Sequence, residues 1–142
     1  MERTEQIVNE WKNEKPKQLV ESKQVNLLRR YIEMTVKRFN HGLIITGRAG
    51  LGKTYTTINI LKELKANFKY KSGYITALGL YKFLYRHRAD NILLDDLEGL
   101  TGNENSIALL KTALWEANGK RIISYETTSK QLEDTPTSFE FT

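Results

Sequence analysis

The sequence has 142 residues, of which 39% are hydrophobic and 27% are charged, and it contains no cysteine. This composition predicts one soluble globular domain and excludes disulfides and thiolate metal sites, which fits a cytoplasmic location. No apolar run approaches the roughly 20 residues that span a bilayer, so we expect no membrane segment. The net charge of +5 is uneven: residues 41–90 hold nine Lys/Arg against two Asp/Glu, and residues 91–142 hold four against nine.

Residues 1–40 are predicted to form a helical segment that packs on the domain after it. A first helix is expected over residues 4–14, and a second runs from the N-cap residue Ser22 to about Asn40. Apolar residues recur at helical spacing in both stretches. Residues 41–142 then form the predicted nucleotide-binding domain.

The window Gly47 to Thr54 matches the phosphate-binding loop pattern G-x-x-x-x-G-K-[ST]. Glycines allow left-handed turns, so that successive backbone N–H groups can converge on an anion. Lys53 can reach the β- and γ-phosphates, and the Thr54 hydroxyl can ligate Mg²⁺. The residues expected to contact the nucleotide are Gly47, Arg48, Ala49, Gly50, Leu51, Gly52, Lys53, Thr54 and Tyr55.

A phosphate-binding loop lies between a strand and a helix. Residues 42–46 are apolar and β-branched and predict the strand, while residues 55–66 have helical apolar spacing. Further along the chain we expect strands at 67–71, 91–94 and 121–125, helices at 77–86 (capped by Thr76) and 106–117, and the start of a strand at 138–142. This alternation predicts an α/β fold with a mostly parallel sheet covered on both faces.

Two carboxylates end the predicted strand at 91–94. In open α/β sheets, ligands bind beyond the carboxyl ends of the strands. Asp95 is therefore expected to help hold Mg²⁺ opposite Thr54, and Asp96 to orient or deprotonate the attacking water. Glu98 is a less favoured base.

The loop and the strand ending in Asp95 and Asp96 together resemble AAA+ ATPases of the replication-initiator and helicase-loader type, including phage members. The resemblance covers roughly residues 20–125. It implies a three-layer αβα P-loop sandwich that binds ATP and Mg²⁺ and hydrolyses ATP in DNA replication or another nucleic-acid process. It also implies assembly into a ring or filament. Lys53 and Asp96 would be the catalytic residues, Thr54 and Asp95 the metal-associated ones.

The chain departs from that family at its C-terminal side, where no helical lid is recognisable. One hypothesis is that the sequence is the N-terminal part of a longer ATPase that stops before its sensor strand and lid. Another is that residues 121–125 are themselves the sensor strand, with Ser124, Thr127 or Thr128 as the polar sensor. The sequence leaves both open.

Two alternative functions are a small-molecule P-loop kinase and a nucleotide-binding module that needs a partner to hydrolyse. Small-molecule kinases of this kind need arginines on a lid, and Arg86 and Arg88 are the only arginines between Arg48 and Arg121. The strand that ends in Asp95 and Asp96 favours the ATPase over the kinase. Residues 81–88 interleave basic and aromatic side chains, as a single-stranded DNA contact would require. An amphipathic helix with buried aromatic rings explains them better.

Overall fold

A computed structural model describes residues 2–48, 50–95, 103–126, 132 and 134–142 of the chain. In this part of the chain, no helix has both the length and the apolar character needed to cross a membrane. The elements are, in order, α1 (Glu2–Asn13), α2 (Lys23–Val36), α3 (Lys53–Glu63), β1 (Phe68–Ser72), α4 (Ala77–Arg86), β2 (Asn91–Asp95), α5 (Glu104–Leu114), β3 (Ile122–Ser124) and β4 (Ser138–Glu140).

The chain divides into two compact units, Met1–Phe68 and Lys69–Thr142. The first unit contains the three helices α1 to α3, and α2 packs against α3. Five consecutive residues of α3 are buried, Thr57 to Leu61. Five successive residues face all sides of a helix, so the middle of α3 is covered all round. The three apolar ones stabilise the packing of α3, because burying such a side chain contributes roughly 1.5–3 kcal/mol relative to exposure.

Capping determines where α2 begins and ends. The Ser22 hydroxyl accepts a 3.1 Å hydrogen bond from the Val25 N–H, which confirms the predicted N-cap. The helix ends at Val36, about four residues before the predicted end. Arg38 adopts a left-handed conformation with φ 66°, and such a residue terminates an α-helix.

The second unit begins within β1, which pairs with β2 in a small parallel sheet. The crossover between them is α4, whose predicted range of 77–86 is confirmed. Thr76 caps this helix as expected, since its hydroxyl accepts a 3.0 Å hydrogen bond from the Gly79 N–H. Leu80, Tyr81 and Leu84 form its buried face.

The same unit contains an antiparallel ladder of β3 and β4, in which Ile123 is paired with Phe139. Both side chains enter a core that α4 and α5 also line. The buried members of this core are Ile75, Ala77, Leu80, Tyr81, Leu84, Leu109, Ala113, Ile123, Leu132 and Phe139. The strand predicted to start at Ser138 is thus confirmed, and its partner is β3.

The predicted strand over residues 42–46 is wrong. This stretch is irregular, and Ile44 is 78% exposed. A strand is stable only when its N–H and C=O groups are paired, and residues 42–46 join neither of the ladders among the described residues.

Two other expectations need adjustment. The helix predicted over 106–117 is α5, which begins earlier because Asn103 caps it through bonds from Asn105 N–H and Ser106 N–H. The strand predicted over 91–94 is β2, which extends to Asp95 and is half-buried throughout. The chain therefore combines helices and strands with a small parallel sheet.

Candidate functional site

The loop 47–54 lies wholly in the first unit and leads directly into α3. Gly50 and Gly52 both have positive φ, 81° and 71°, in the left-handed region that glycine adopts without a steric penalty. Gly52 is also the N-cap residue of α3, and its carbonyl accepts a 2.9 Å bond from the Thr56 N–H. Of the two fixed glycines of the pattern, Gly52 is thus left-handed and Gly47 is not; Gly50, at a variable position, supplies the second left-handed turn.

The ammonium group of Lys53 is held against the beginning of the loop. Its Nζ donates 2.8 Å hydrogen bonds to the carbonyl oxygens of Gly47 and Arg48. A Cβ added at Gly47 would lie 3.5 Å from the Lys53 Cδ, so the lysine side chain passes close to this backbone. The loop backbone therefore folds back onto the Lys53 side chain. This places a positive charge at the N-terminal end of α3.

That end of α3 suits an anion. The first N–H groups of an α-helix have no intrahelical acceptor, and the helix dipole adds partial positive charge there. A Cβ built on Gly50 would have no atom within 4 Å, so the loop backbone is open at this point. Left-handed glycines, a fixed ammonium and a helix N-terminus together fit a polyphosphate.

The other predicted loop residues have simple environments. Arg48 and Leu51 are exposed, the latter by 68%. Thr54 is half-buried in the first turn of α3, and Tyr55 is 38% exposed. Ala49 lies outside the described residues.

Asp95 is the last residue of β2 and belongs to the second unit. One of its carboxylate oxygens accepts a 2.7 Å hydrogen bond from the Tyr70 hydroxyl. Tyr70 is 8% exposed on β1, so this donor is fixed by packing. Tyr70 is not among the predicted site residues. The alternation of apolar and basic residues in β1 is the sequence signal that its side chain faces inward.

Several further predicted positions fall outside the described residues: Asp96, Glu98, Thr127 and Thr128. The remaining sensor candidate, Ser124, lies exposed at the end of β3 opposite Ser138. Among the residues that are described, no three His, Asp or Glu side chains cluster as a metal site would require. A Mg²⁺ ion carried by phosphates needs only one or two carboxylates, so this finding leaves the predicted Mg²⁺ open.

The basic and aromatic segment 81–88 follows the amphipathic interpretation. Tyr81 is fully buried, and its hydroxyl donates to the Pro136 carbonyl at 2.5 Å. The Tyr85 ring packs on Phe139, and the Arg88 guanidinium lies 4.3 Å from the centre of the same Tyr85 ring. Tyr81 belongs to the core of the second unit and Tyr85 packs against it, as an amphipathic helix requires.

A protein of phage T4, described as an uncharacterized 36.7 kDa protein in the nrdC-mobD intergenic region, is similar to this chain. The two are 38% identical over 100 residues, which cover 65% of this chain and 30% of that protein. The chain thus spans less than a third of the length of this relative. No family model and no solved structure matches the chain.

Proposed function

We propose that the loop 47–54 binds the phosphates of a nucleoside triphosphate, and that the chain is a Mg²⁺-dependent ATPase of the AAA+ type. The observation that carries the proposal is the fixed ammonium of Lys53, 2.8 Å from two loop carbonyls, at the start of a helix preceded by two left-handed glycines. A glycine turn without a ligand needs neither the N-terminus of a helix directly after it nor a lysine that bonds to the loop carbonyls.

Each residue has a defined part in this proposal. Lys53 exchanges carbonyl oxygens for β- and γ-phosphate oxygens, and the loop N–H groups bind the same anion. Thr54 and Asp95 are assigned to Mg²⁺ from the family resemblance, and the ion would neutralise charge on the phosphates when bound. Tyr70 restrains the Asp95 carboxylate.

Hydrolysis is assigned to Asp96 from the family resemblance. Its carboxylate would accept a proton from water as the water oxygen attacks the γ-phosphorus. The bond from that phosphorus to the β–γ bridging oxygen then breaks, which gives a nucleoside diphosphate and phosphate. A role in DNA replication or another nucleic-acid process, and assembly into a ring or filament, belong to the same proposal.

Calorimetry of MgATP binding to Lys53→Ala, with Lys62→Ala as the matched control, tests the proposal. Lys62 lies in the last turn of the same helix, remote from its N-terminus. We expect Lys53→Ala to weaken binding by at least about tenfold, because a hydrogen bond to a charged group contributes roughly 1.5–3 kcal/mol. Tight binding retained by Lys53→Ala would overturn the site assignment.

Phosphate release distinguishes the alternatives. Wild-type hydrolysis that disappears in Asp96→Asn while binding persists would support the ATPase. Binding without hydrolysis in the wild type would favour a nucleotide-binding module that needs a partner. Phosphate transfer to a nucleoside instead of water would favour the kinase.

A further inference from the structure

Two aromatic side chains meet beside the phosphate-binding loop. The ring centroids of Trp11 on α1 and Tyr55 on α3 are 6.3 Å apart, and the planes cross at 89°. This edge-to-face arrangement is a favourable one for aromatic pairs. In this arrangement the edge of one ring is directed at the face of the other.

The position of Tyr55 relates this pair to the loop. Tyr55 directly follows Thr54, in the first turn of α3, and side chains of a helix lean toward its N-terminus. The Tyr55 side chain therefore leans toward the end of α3 where the phosphates are proposed to bind. Tyr55 remains 38% exposed and Trp11 is half-buried.

The backbone under Tyr55 is fixed by a buried side chain. Asn59, 3% exposed, donates from Nδ2 to the Tyr55 carbonyl at 2.9 Å, and its Oδ1 accepts 2.9 Å from the Lys17 N–H. This one amide ties the segment after α1 to the first turns of α3. The backbone that carries Tyr55 is therefore ordered before a ligand arrives, which reduces the entropy lost on binding.

We propose, resting on the proposed function, that Trp11 and Tyr55 contact the base of the bound nucleotide and favour purine nucleoside triphosphates. In a nucleotide, one ribose joins the base to the phosphates. When the phosphates bind the loop, the planar base must therefore lie close to it. Aromatic side chains stack on any base, and purines offer the larger π surface. The basic loop thus selects the phosphates, and the aromatic pair selects the base.

The first experiment compares ATP with inorganic triphosphate, which carries the phosphates without a base. Both affinities are measured in the wild type and in Trp11→Leu, with Tyr31→Leu as the control, since Tyr31 is an exposed tyrosine on α2. We expect Trp11→Leu to weaken ATP binding about tenfold, within the range for base–aromatic stacking, and to leave triphosphate binding unchanged. Equal affinities for ATP in the wild type and the variant would overturn the proposal.

A second measurement needs no change to the aromatic pair. The chain has two tryptophans, and Trp115 is 73% exposed, so Trp115→Phe leaves Trp11 as the sole indole. We expect ATP and GTP to quench the Trp11 fluorescence more strongly than UTP, and triphosphate to leave it almost unchanged. Identical responses to ATP and triphosphate would contradict a base contact even if Trp11→Leu does not fold.

The two proposals fail in different ways. If triphosphate binds and depends on Lys53 but Trp11→Leu has no effect on ATP, the base contact is wrong and the phosphate loop stands. If neither ATP nor triphosphate binds the folded chain, the phosphate loop is wrong and the base contact falls with it.

Discussion

The Tyr70 hydroxyl donates a 2.7 Å hydrogen bond to the Asp95 carboxylate and so links the two strands of the parallel sheet through their side chains. Tyr70 is buried and Asp95 half-buried, which makes the bond a fixed constraint on the carboxylate. The bond engages one carboxylate oxygen and restricts rotation of the carboxylate. Partners of this kind commonly orient metal ligands.

We expect Tyr70→Phe to raise the Mg²⁺ concentration for half-maximal ATP hydrolysis by about tenfold, the lower end of the effect of removing such a partner. Nucleotide binding without Mg²⁺ should be unchanged, because Lys53 and the loop N–H groups are untouched. A Mg²⁺ titration of phosphate release measures both.

The matched control is Tyr31→Phe, which removes a hydroxyl from an exposed tyrosine on α2. An unaltered Mg²⁺ dependence in Tyr70→Phe would mean that the tyrosine supports the sheet alone. The same variant should then lose only stability, by about 1 kcal/mol for one hydrogen bond.

Substitutions at two glycines can distinguish a general loss of folding stability from a specific change in the phosphate-binding loop. Gly50 (φ 81°) and Gly119 (φ 77°) are both left-handed, and a Cβ on either would meet no atom within 4 Å. Alanine at each position should cost roughly 1–2 kcal/mol of folding stability for the left-handed backbone. Only Gly50→Ala should also weaken nucleotide binding.

Thermal unfolding and MgATP calorimetry on the same samples test this pair. Asparagine tolerates the left-handed region better than alanine, so Gly50→Asn should recover part of the lost stability. Nucleotide binding weakened equally by Gly119→Ala would indicate that global stability, and not loop geometry, controls affinity.

Burial raises the pKa of the Tyr81 phenol above its ordinary value, and Tyr85 adds a smaller effect in the same direction. The folded state therefore holds this proton more strongly than the unfolded state. The resulting stabilisation is complete below the unfolded pKa of about 10 and is lost as the pH rises through the folded value.

We expect urea denaturation to show a loss of stability above about pH 10 that is smaller in Tyr81→Phe. Near pH 7 the same variant should be less stable by about 1 kcal/mol, because the Pro136 carbonyl loses its donor. Tyr31→Phe serves as the exposed-tyrosine control. An alkaline profile identical in Tyr81→Phe and wild type would show that other groups cause the loss.

The buried amide of Asn59 predicts a stability effect confined to the first unit. Asn59→Ala leaves the Lys17 N–H without its acceptor and the Tyr55 carbonyl without its Nδ2 donor. A buried group left unsatisfied costs roughly 1–3 kcal/mol, so we expect unfolding at correspondingly lower urea.

Asn13 provides the comparison, because its side chain is exposed and donates one 3.4 Å bond to Asn9. Asn13→Ala should change stability by less than about 0.5 kcal/mol, as usual for surface substitutions. A similar small change in Asn59→Ala would mean that water replaces the amide at no cost.

Local signals predicted the helices well and the pairing of strands poorly. The range of α4 follows from Thr76 as cap and from apolar spacing within ten residues. Residues 42–46 have the composition of a strand, but a strand also requires a neighbour, and composition does not specify one. The bond from Tyr70 to Asp95 could not be predicted for the same reason, because it exists only where β1 and β2 are neighbours in the sheet.

Left-handed turns in the loop were expected from its glycines, because glycine adopts positive φ without a steric penalty, and Gly50 and Gly52 have this conformation. The hydrogen bonds of Lys53 to Gly47 and Arg48 were not predicted. They depend on how the loop folds back on itself, which no spacing rule states.

Those two hydrogen bonds have a kinetic consequence. In the proposed site, a phosphate would have to compete with the Gly47 and Arg48 carbonyls for the Lys53 ammonium, so its binding would be an exchange of hydrogen-bond partners. Such an exchange would make phosphate capture slower than the diffusion limit. Under the proposal, the loop carbonyls hold the Lys53 ammonium until a phosphate oxygen replaces them.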